Sequence, residues 1–553
     1  MRKHCVAVCK LVCVLAAVPA AILAQDASAV VANVVKTMGA DNLKTIQFSG
    51  TGSSAGIGQN INPTAAWPVV RVKSYTREID FSSMASHVQM VRAQSTGDQT
   101  QNQYILPNAP WATQFNFWLN PFSFLKGAMA NSATARVETV GGTKYSVVTF
   151  SLQNKYKVAG YINDRNMVEK VQTWIDNDVL GDMLAEASYS VYKDFGGVQF
   201  PTMIIEKQAG FPVLIVAVSS AKPNAAVNIQ PPQTPADGAS RDMSVQSEKI
   251  ADGVFYLKGG THHSVAIEFG DHSVIIEAPQ NEQRSLAVIA EVKRLIPNKP
   301  IRYLVNTHHH FDHSGGLRTY VAEGATIVTQ EINRAFYEKA FAAPRTLNPD
   351  RLAQSRETAK IETVAEKKIL SDGTRTLEIH LIKGSPHDDG ILLAFLTQEK
   401  ILIEADVYTP QAATTSPTAV NPGTANLVDN VERLKLDFEK ILPLHGPGAV
   451  TRADLYAAIR KQAPSITEIL SAQPPIAAGG RGGRGAALSP PDPKQILEKG
   501  CTSCHNLSRV TSQNLSKAEW QGVVDQMKGR GAEVSDAETS ILIDYLVKTY
   551  GHN

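Results

Sequence analysis

Two stretches of this chain can carry neither a sheet ladder nor a helix, and they set its organisation before any other feature is read. Pro223, Pro231, Pro232 and Pro235 punctuate residues 222–242, with Asn, Ala and Gln between them. Proline has a fixed φ and no N–H to donate, so this is a semi-extended linker. Residues 471–493 are the second break, GGRGGRG between proline pairs. The 553 residues are too many for one hydrophobic core. Folded units are therefore expected at 26–221, 243–470 and 494–553. Residues 1–24 read as a signal peptide: Met1-Arg2-Lys3, then an apolar run from Leu11 to Ala24 too short to span a bilayer, then small residues. That implies export to a periplasm or beyond and a mature chain with no transmembrane span. With 54 basic and 52 acidic residues the net charge is +2, and no long basic run occurs. Nucleic acid and anionic membrane are thus not expected partners.

The first unit opens on a helical pattern (Val30, Val31, Val34, Met38) and continues as alternating runs such as Val69–Val72 and Ser188–Lys193. Asn163-Asp164 and Gly196-Gly197 lie between such runs as hairpin turns. An α+β domain with an antiparallel sheet follows. Its segments GYIND and LGDMLAEASYSVYKDFGGVQFPTMI resemble the half-open barrel of periplasmic lipoprotein-carrier proteins. The resemblance implies a concave face able to bind something apolar; a spacer or docking module is the alternative.

The second unit alternates strands and helices: Gly253–Lys258 and Ser264–Glu277 as strands around a Gly270-Asp271 turn, Gln283–Leu295 as a helix, Ile301–Asn306 as a buried strand, and a last helix over Ala453–Ala463. An α/β layered domain is the natural reading. The strand at 301 runs directly into His308-His309-His310-Phe311-Asp312-His313-Ser314-Gly315-Gly316. Residues two apart on an extended segment face the same side, so His308 and His310 can converge on one ion, while Asp312 and His313, past the turn, reach a second. Further ligand types stand at strand ends downstream: His387 after Thr376–Ile382, Asp406 after Ile401–Ile403, and His445 after Ile441–Leu444. They partition as His308, His310 and His387 on one metal, Asp312, His313 and His445 on the other, and Asp406 between them. Imidazole and carboxylate donors suit Zn²⁺. A lone histidine is more often structural, but ten of the fourteen histidines fall between His262 and His445, and that clustering favours a metal site. His309 is expected to point away from the ions, Glu277 to orient a ligand, and His262 and His263 to rim the cleft.

The motifs HHHFDHSGG, GSPHDD, EADVY and LHGPG, in this order, resemble the metallo-β-lactamase-fold hydrolases. The resemblance covers the second unit and implies an αββα sandwich with the site at the edge between sheets, two Zn²⁺ ions and a metal-bridging hydroxide as nucleophile. Asp312 would orient that hydroxide or take its proton, and Tyr408 would donate to a developing oxyanion, packing being its alternative role. The bond cleaved would be an ester, thioester, amide, lactam or phosphoester of a small-molecule substrate.

The third unit carries Cys501-Thr502-Ser503-Cys504-His505, the CxxCH motif of covalent c-type haem attachment, with His505 as proximal iron ligand. Ser516-Lys517-Ala518-Glu519 is a capping box opening a helix on which Trp520 and Met527 share a face, and Ser535-Asp536-Ala537-Glu538 opens a second. Met527 is the candidate sixth ligand, with His552 as rival. The segments CHNLSRV, KAEWQGVVDQMKGRGA and ETSILIDYLVKTYG resemble small monohaem cytochrome c domains, which implies an all-α unit and a periplasmic electron-transfer partner. Three functions compete: an exported zinc hydrolase tethered to a cytochrome; an oxidoreductase holding iron in the same ligand set and passing electrons to the haem; and a non-enzymatic ligand-binding redox sensor.

Overall fold

The computed structural model describes residues 24–94, 97–231, 244–410, 420–465, 468, 493–494, 496–497, 510, 515–528, 534 and 536–551. The leader before residue 24, most of both linkers, and Cys501, Cys504, His505 and His552 lie outside them. The chain divides into two compact parts, an amino-terminal one up to Ala472 and a carboxy-terminal one from Gln473.

The first unit is one twelve-stranded antiparallel sheet with helices over one face. The opening helix, Ala27–Met38, starts where the Asp26 carboxylate accepts from Ser28 N and ends where Gly39 turns left-handed (φ 66°). Its buried stripe is Val31, Val34, Val35 and Met38. The strands from Thr134–Val140 to Phe211–Pro223 pair in chain order. Phe211–Pro223 then pairs with Thr45–Ala55, which leads through hairpins to Val69–Asp80, Ala85–Gln94 and Gly97–Ile105. The turns at Asn163-Asp164 and Gly196-Gly197 are where the sequence puts them. Two helices, Trp111–Leu119 and Pro121–Ala130, were not anticipated. Their aromatic residues, Phe115, Phe117, Phe122 and Phe124 among them, fill the core over the sheet with Phe48, Phe150 and Phe200.

From Gln246 the chain builds two further sheets, seven-stranded over 246–364 and six-stranded over 367–451. Val254, Tyr256, Ile267, Leu377, Ile379, Ile403 and Leu442 pack between them. On the outer face of the first sheet, Val288, Ile289 and Val292 of the helix Glu282–Leu295 cover Leu304 and Ile327. On the outer face of the second, Leu427, Val428 and Val431 of the helix Pro422–Arg433 and Leu455 cover Leu393, Leu402 and Ile441. The layers are therefore helix, sheet, sheet, helix. The last helix is shorter than its pattern predicts, Arg452–Ala458, because Arg460 turns left-handed (φ 59°) and the chain leaves the axis ahead of Pro464.

The large sheet docks on this sandwich. Around its hairpin 168–194, Asp182 accepts from Thr346 N at 2.8 Å and from Leu347 N at 3.1 Å, and Asp176 lies 3.3 Å from the buried Arg345 guanidinium. These contacts tie the Arg345–Leu347 segment of the sandwich to that hairpin of the large sheet.

In the carboxy-terminal part the helices Lys517–Lys528 and Asp536–Tyr550 pack through Trp520, Val524, Leu542, Ile543 and Leu546. Glu519 accepts from Ser516 N at 2.8 Å, the reciprocal half of the expected capping box. Met527 sits half-buried on the first helix. No helix among the described residues is long and apolar enough to cross a membrane.

Candidate metal centre

The strands Ile301–Val305, Ile401–Glu404 and Lys440–Pro443 end at one edge of the sandwich, and the residues that follow them converge there. Left-handed backbone marks two of these corners, Glu277 (φ 75°) and Asp406 (φ 65°). Such conformations cost on the order of 1–3 kcal/mol each and persist where surrounding contacts enforce them.

Asp406 stands in the middle. Its Oδ2 lies 2.9 Å from His387 Nε2, 3.3 Å from His308 Nε2 and 3.2 Å from His313 Nε2, and its Oδ1 lies 2.6 Å from His445 Nε2. The ring nitrogens also face one another, His308 Nε2 to His387 Nε2 at 3.4 Å and His313 Nε2 to His445 Nε2 at 3.1 Å. One group that could hold a cation is His308, His310, His387 and Asp406; a second is His262, His313 and His445. All seven residues singled out in the sequence come together at this edge. Asp312 reaches the second group with its Oδ2 3.8 Å from His313 Nε2 and 3.2 Å from His262 Nε2.

The other ring nitrogen of four of these histidines is tied to the protein. His310 Nε2 donates to Asn60 O at 3.0 Å, and its buried Nδ1 has no hydrogen-bond partner among the described residues. His445 Nδ1 donates to Thr261 O at 2.8 Å, His313 Nδ1 lies 3.0 Å from Glu277 Oε2, and His308 Nδ1 lies 2.9 Å from Thr307 Oγ1. Such outer bonds fix tautomer and ring orientation in metal sites. The unpartnered His310 nitrogen and the facing Nε2 atoms fit a pair of divalent cations.

Burial pushes the imidazoles of His308 and His310 down, His310 to about 3, so both are neutral donors at physiological pH. Burial opposes charge on the Asp406 carboxyl as well, but the surrounding histidines, His313 first, hold it well below the usual range. Asp312 is held low in the same way, by His262 and His313 against burial. Burial likewise opposes charge on His313, yet the carboxylates of Asp406 and Glu277 outweigh it and keep this imidazole well above 6.5. A cation that takes His313 Nε2 at neutral pH therefore has to displace a proton. Cation uptake is expected to release protons and to tighten as pH rises through the range above 6.5. Calorimetry in buffers of different ionisation enthalpy measures this, and uptake without proton release would contradict it.

Several expectations shift. His262 belongs to the second group rather than to the rim. His263 turns away: its Nε2 donates to Gly446 O at 2.9 Å, fixing the loop behind His445. His309 does point outward, its Nδ1 2.6 Å from Asp388 Oδ2 and its Nε2 3.2 Å from Asn60 Oδ1. Glu277 carries out the orienting role expected of it. Tyr408 packs between the second sheet and its helices, where burial raises its phenol to about 12. Its backbone N–H bonds Glu404 at 3.1 Å, in keeping with the packing role given as its alternative. Asn60 and Gln59, which touch this cluster from the amino-terminal sheet, were not foreseen at all.

Residues 257–395 match the metallo-beta-lactamase superfamily. This domain supports a metal-dependent hydrolase and divalent-metal binding, often of zinc. No curated protein matches the chain significantly. Among solved structures, a metallo-beta-lactamase from Pontibacter korlensis is 19% identical, covering 38% of this chain and 95% of its own, with a TM-score of 0.30. The Hirschia baltica metallo beta lactamase is 17% identical over 39% and 96% (TM-score 0.30), and FIM-1 from Pseudomonas aeruginosa, in its mono-zinc form, is 18% identical over 39% and 94% (TM-score 0.30).

Proposed function

We propose that the chain is an exported zinc-dependent hydrolase with a two-metal site, tethered to a c-type haem domain. The observation that carries the catalytic half is the arrangement around Asp406: two sets of imidazole nitrogens face this carboxylate, and four of those rings have their other nitrogen held by the protein. In this reading His308, His310 and His387 hold the first cation, His313, His445 and Asp312 the second with His262 beside them, and Asp406 lies between. Two divalent cations, when bound, lower the pKa of a coordinated water toward neutrality and stabilise charge on the reacting oxygens. Asp312, ionised and partly exposed at this edge, is the residue that would accept the proton of the attacking water. The bond class is an ester, thioester, amide, lactam or phosphoester. Histidine at 310 favours zinc over an iron-based oxidoreductase, because hard carboxylate donors suit a diiron pair better than this imidazole-rich set.

The haem half of the proposal rests on sequence. Cys501 and Cys504 would carry the thioethers and His505 the proximal bond, with Met527 as sixth ligand. The first three lie outside the described residues.

Metal analysis of the mature, haem-loaded protein, beside a reduced-minus-oxidised spectrum, tests both halves. Two zinc ions per chain and activity that a chelator removes and Zn²⁺ restores are expected. Two iron ions that respond to reductant would overturn the hydrolase reading, and absence of a c-type spectrum would remove the haem.

A further inference from the structure

The loop from Gly56 to Pro68 joins two neighbouring strands of the large sheet, Thr45–Ala55 and Val69–Asp80, yet it lies against the metal cluster of the other domain. Its internal order comes from its own side chains. Asn62 Oδ1 accepts from Thr64 N at 3.1 Å and Ala65 N at 3.0 Å, and Asn60 Nδ2 donates to Asn62 O at 2.6 Å. Contact with the HHHFDH segment is close enough to require glycine: Gly58 is left-handed (φ 70°), and a Cβ there would lie 2.2 Å from the Phe311 ring, while Phe311 N donates to Gly58 O at 3.3 Å.

From this fixed loop, four consecutive residues reach the cluster and its flank. Gln59 Nε2 donates to Asp312 Oδ1 at 2.7 Å. Asn60 O takes the His310 Nε2 proton and Asn60 Oδ1 meets His309 Nε2. Ile61 O accepts from Asp389 N at 2.7 Å, two residues past His387, and Asn62 Nδ2 donates to Asp389 Oδ2 at 2.9 Å. Asp312 has one oxygen toward His262 and His313; the other is occupied by Gln59, and this second bond sets the rotation of the carboxylate.

We propose that Gln59 is a positioning residue of the metal centre. The amino-terminal sheet thereby completes the second cation position through this loop, and is a structural part of the active site rather than a spacer or an apolar-ligand carrier. The inference rests on the two-cation reading above.

The test is calorimetric titration of the full-length, chelator-stripped protein with Co²⁺, which resolves the two equivalents by their heats, needs no substrate and is not masked by haem absorption. Gln59→Met keeps the length and packing of the side chain and removes the donor. It is expected to bind the first equivalent as the unaltered protein does and the second about 10–100-fold more weakly, the usual cost of losing a partner that orients a ligand. Asn62→Ala, which loosens the loop without touching Asp312, is expected to keep the second equivalent close to its original affinity. Gln59→Met that binds both equivalents normally would overturn the proposal. So would equal weakening of both equivalents in the two variants, which would make the loop a matter of general docking. If the unaltered protein takes up fewer than two Co²⁺, the two-cation reading itself fails and this inference goes with it.

Discussion

Asp406→Ala is expected to abolish hydrolysis and strip the protein of both cations. Among the described residues Asp406 is the one carboxylate within 2.6–3.3 Å of four imidazoles, and its removal leaves a cluster of neutral and cationic rings without the group that lies between them. His313, whose imidazole Asp406 and Glu277 hold well above 6.5, then faces its neighbours without the first of these carboxylates. If the cations supply several kcal/mol of transition-state stabilisation, the rate falls by about 10³-fold or more. Metal content by elemental analysis should fall in parallel, and any haem spectrum should stay as it was, because the haem motif is in a separate unit. His310→Ala should behave alike through the first cation position. An Asp406→Ala protein that keeps full activity would remove the central assignment.

Glu277→Ala should produce the largest loss of stability of any single change at this edge. The carboxylate is fully buried and accepts from Asn306 Nδ2 at 3.1 Å, Thr307 N at 3.3 Å and Thr307 Oγ1 at 2.5 Å, while His313 Nδ1 lies at 3.0 Å. Truncation leaves these donors in a dry interior and the His313 imidazole without the carboxylate that its Nδ1 faces. Removing one partner of such a buried pair costs about 3–5 kcal/mol. A drop in the thermal midpoint on the order of 10 °C should be seen by calorimetry on the metal-free protein. The second cation should also bind more weakly, since His313 loses the contact that aims its Nε2. A variant with an unchanged melting curve would mean that water fills the gap and that Glu277 is not what orients His313.

Much of this edge could be read without coordinates. His308, His310, His387, Asp406 and His445 are legible because apolar strands end at fixed places and donor residues follow at once. Glu277 is legible for the same reason. The outer helix Glu282–Leu295 shows in its 3.6-residue spacing, and the hairpins in Asn163-Asp164 and Gly196-Gly197, whereas Pro422–Arg433 was not anticipated. Three things resist such reading. Trp111–Ala130 is apolar on nearly every face, so its helices carry no periodicity to detect. His262 sits in a turn with no spacing to a partner, and only its membership of the histidine-rich stretch points to the site. Gln59 and Asn60 come from another domain, as ordinary polar residues in a loop. Their one local signal is a connection of thirteen residues between hairpin strands, long for such a turn and built of glycine, asparagine and proline.

Both sheets of the sandwich bring part of the donor set: His308, His310, Asp312 and His313 follow a strand of the seven-stranded sheet, and His387, Asp406 and His445 follow strands of the six-stranded one. Bound cations would act as rivets across that seam. Loading and cohesion then become one quantity, and every tenfold rise of free cation above its dissociation constant adds about 1.4 kcal/mol to the work of prying the layers apart.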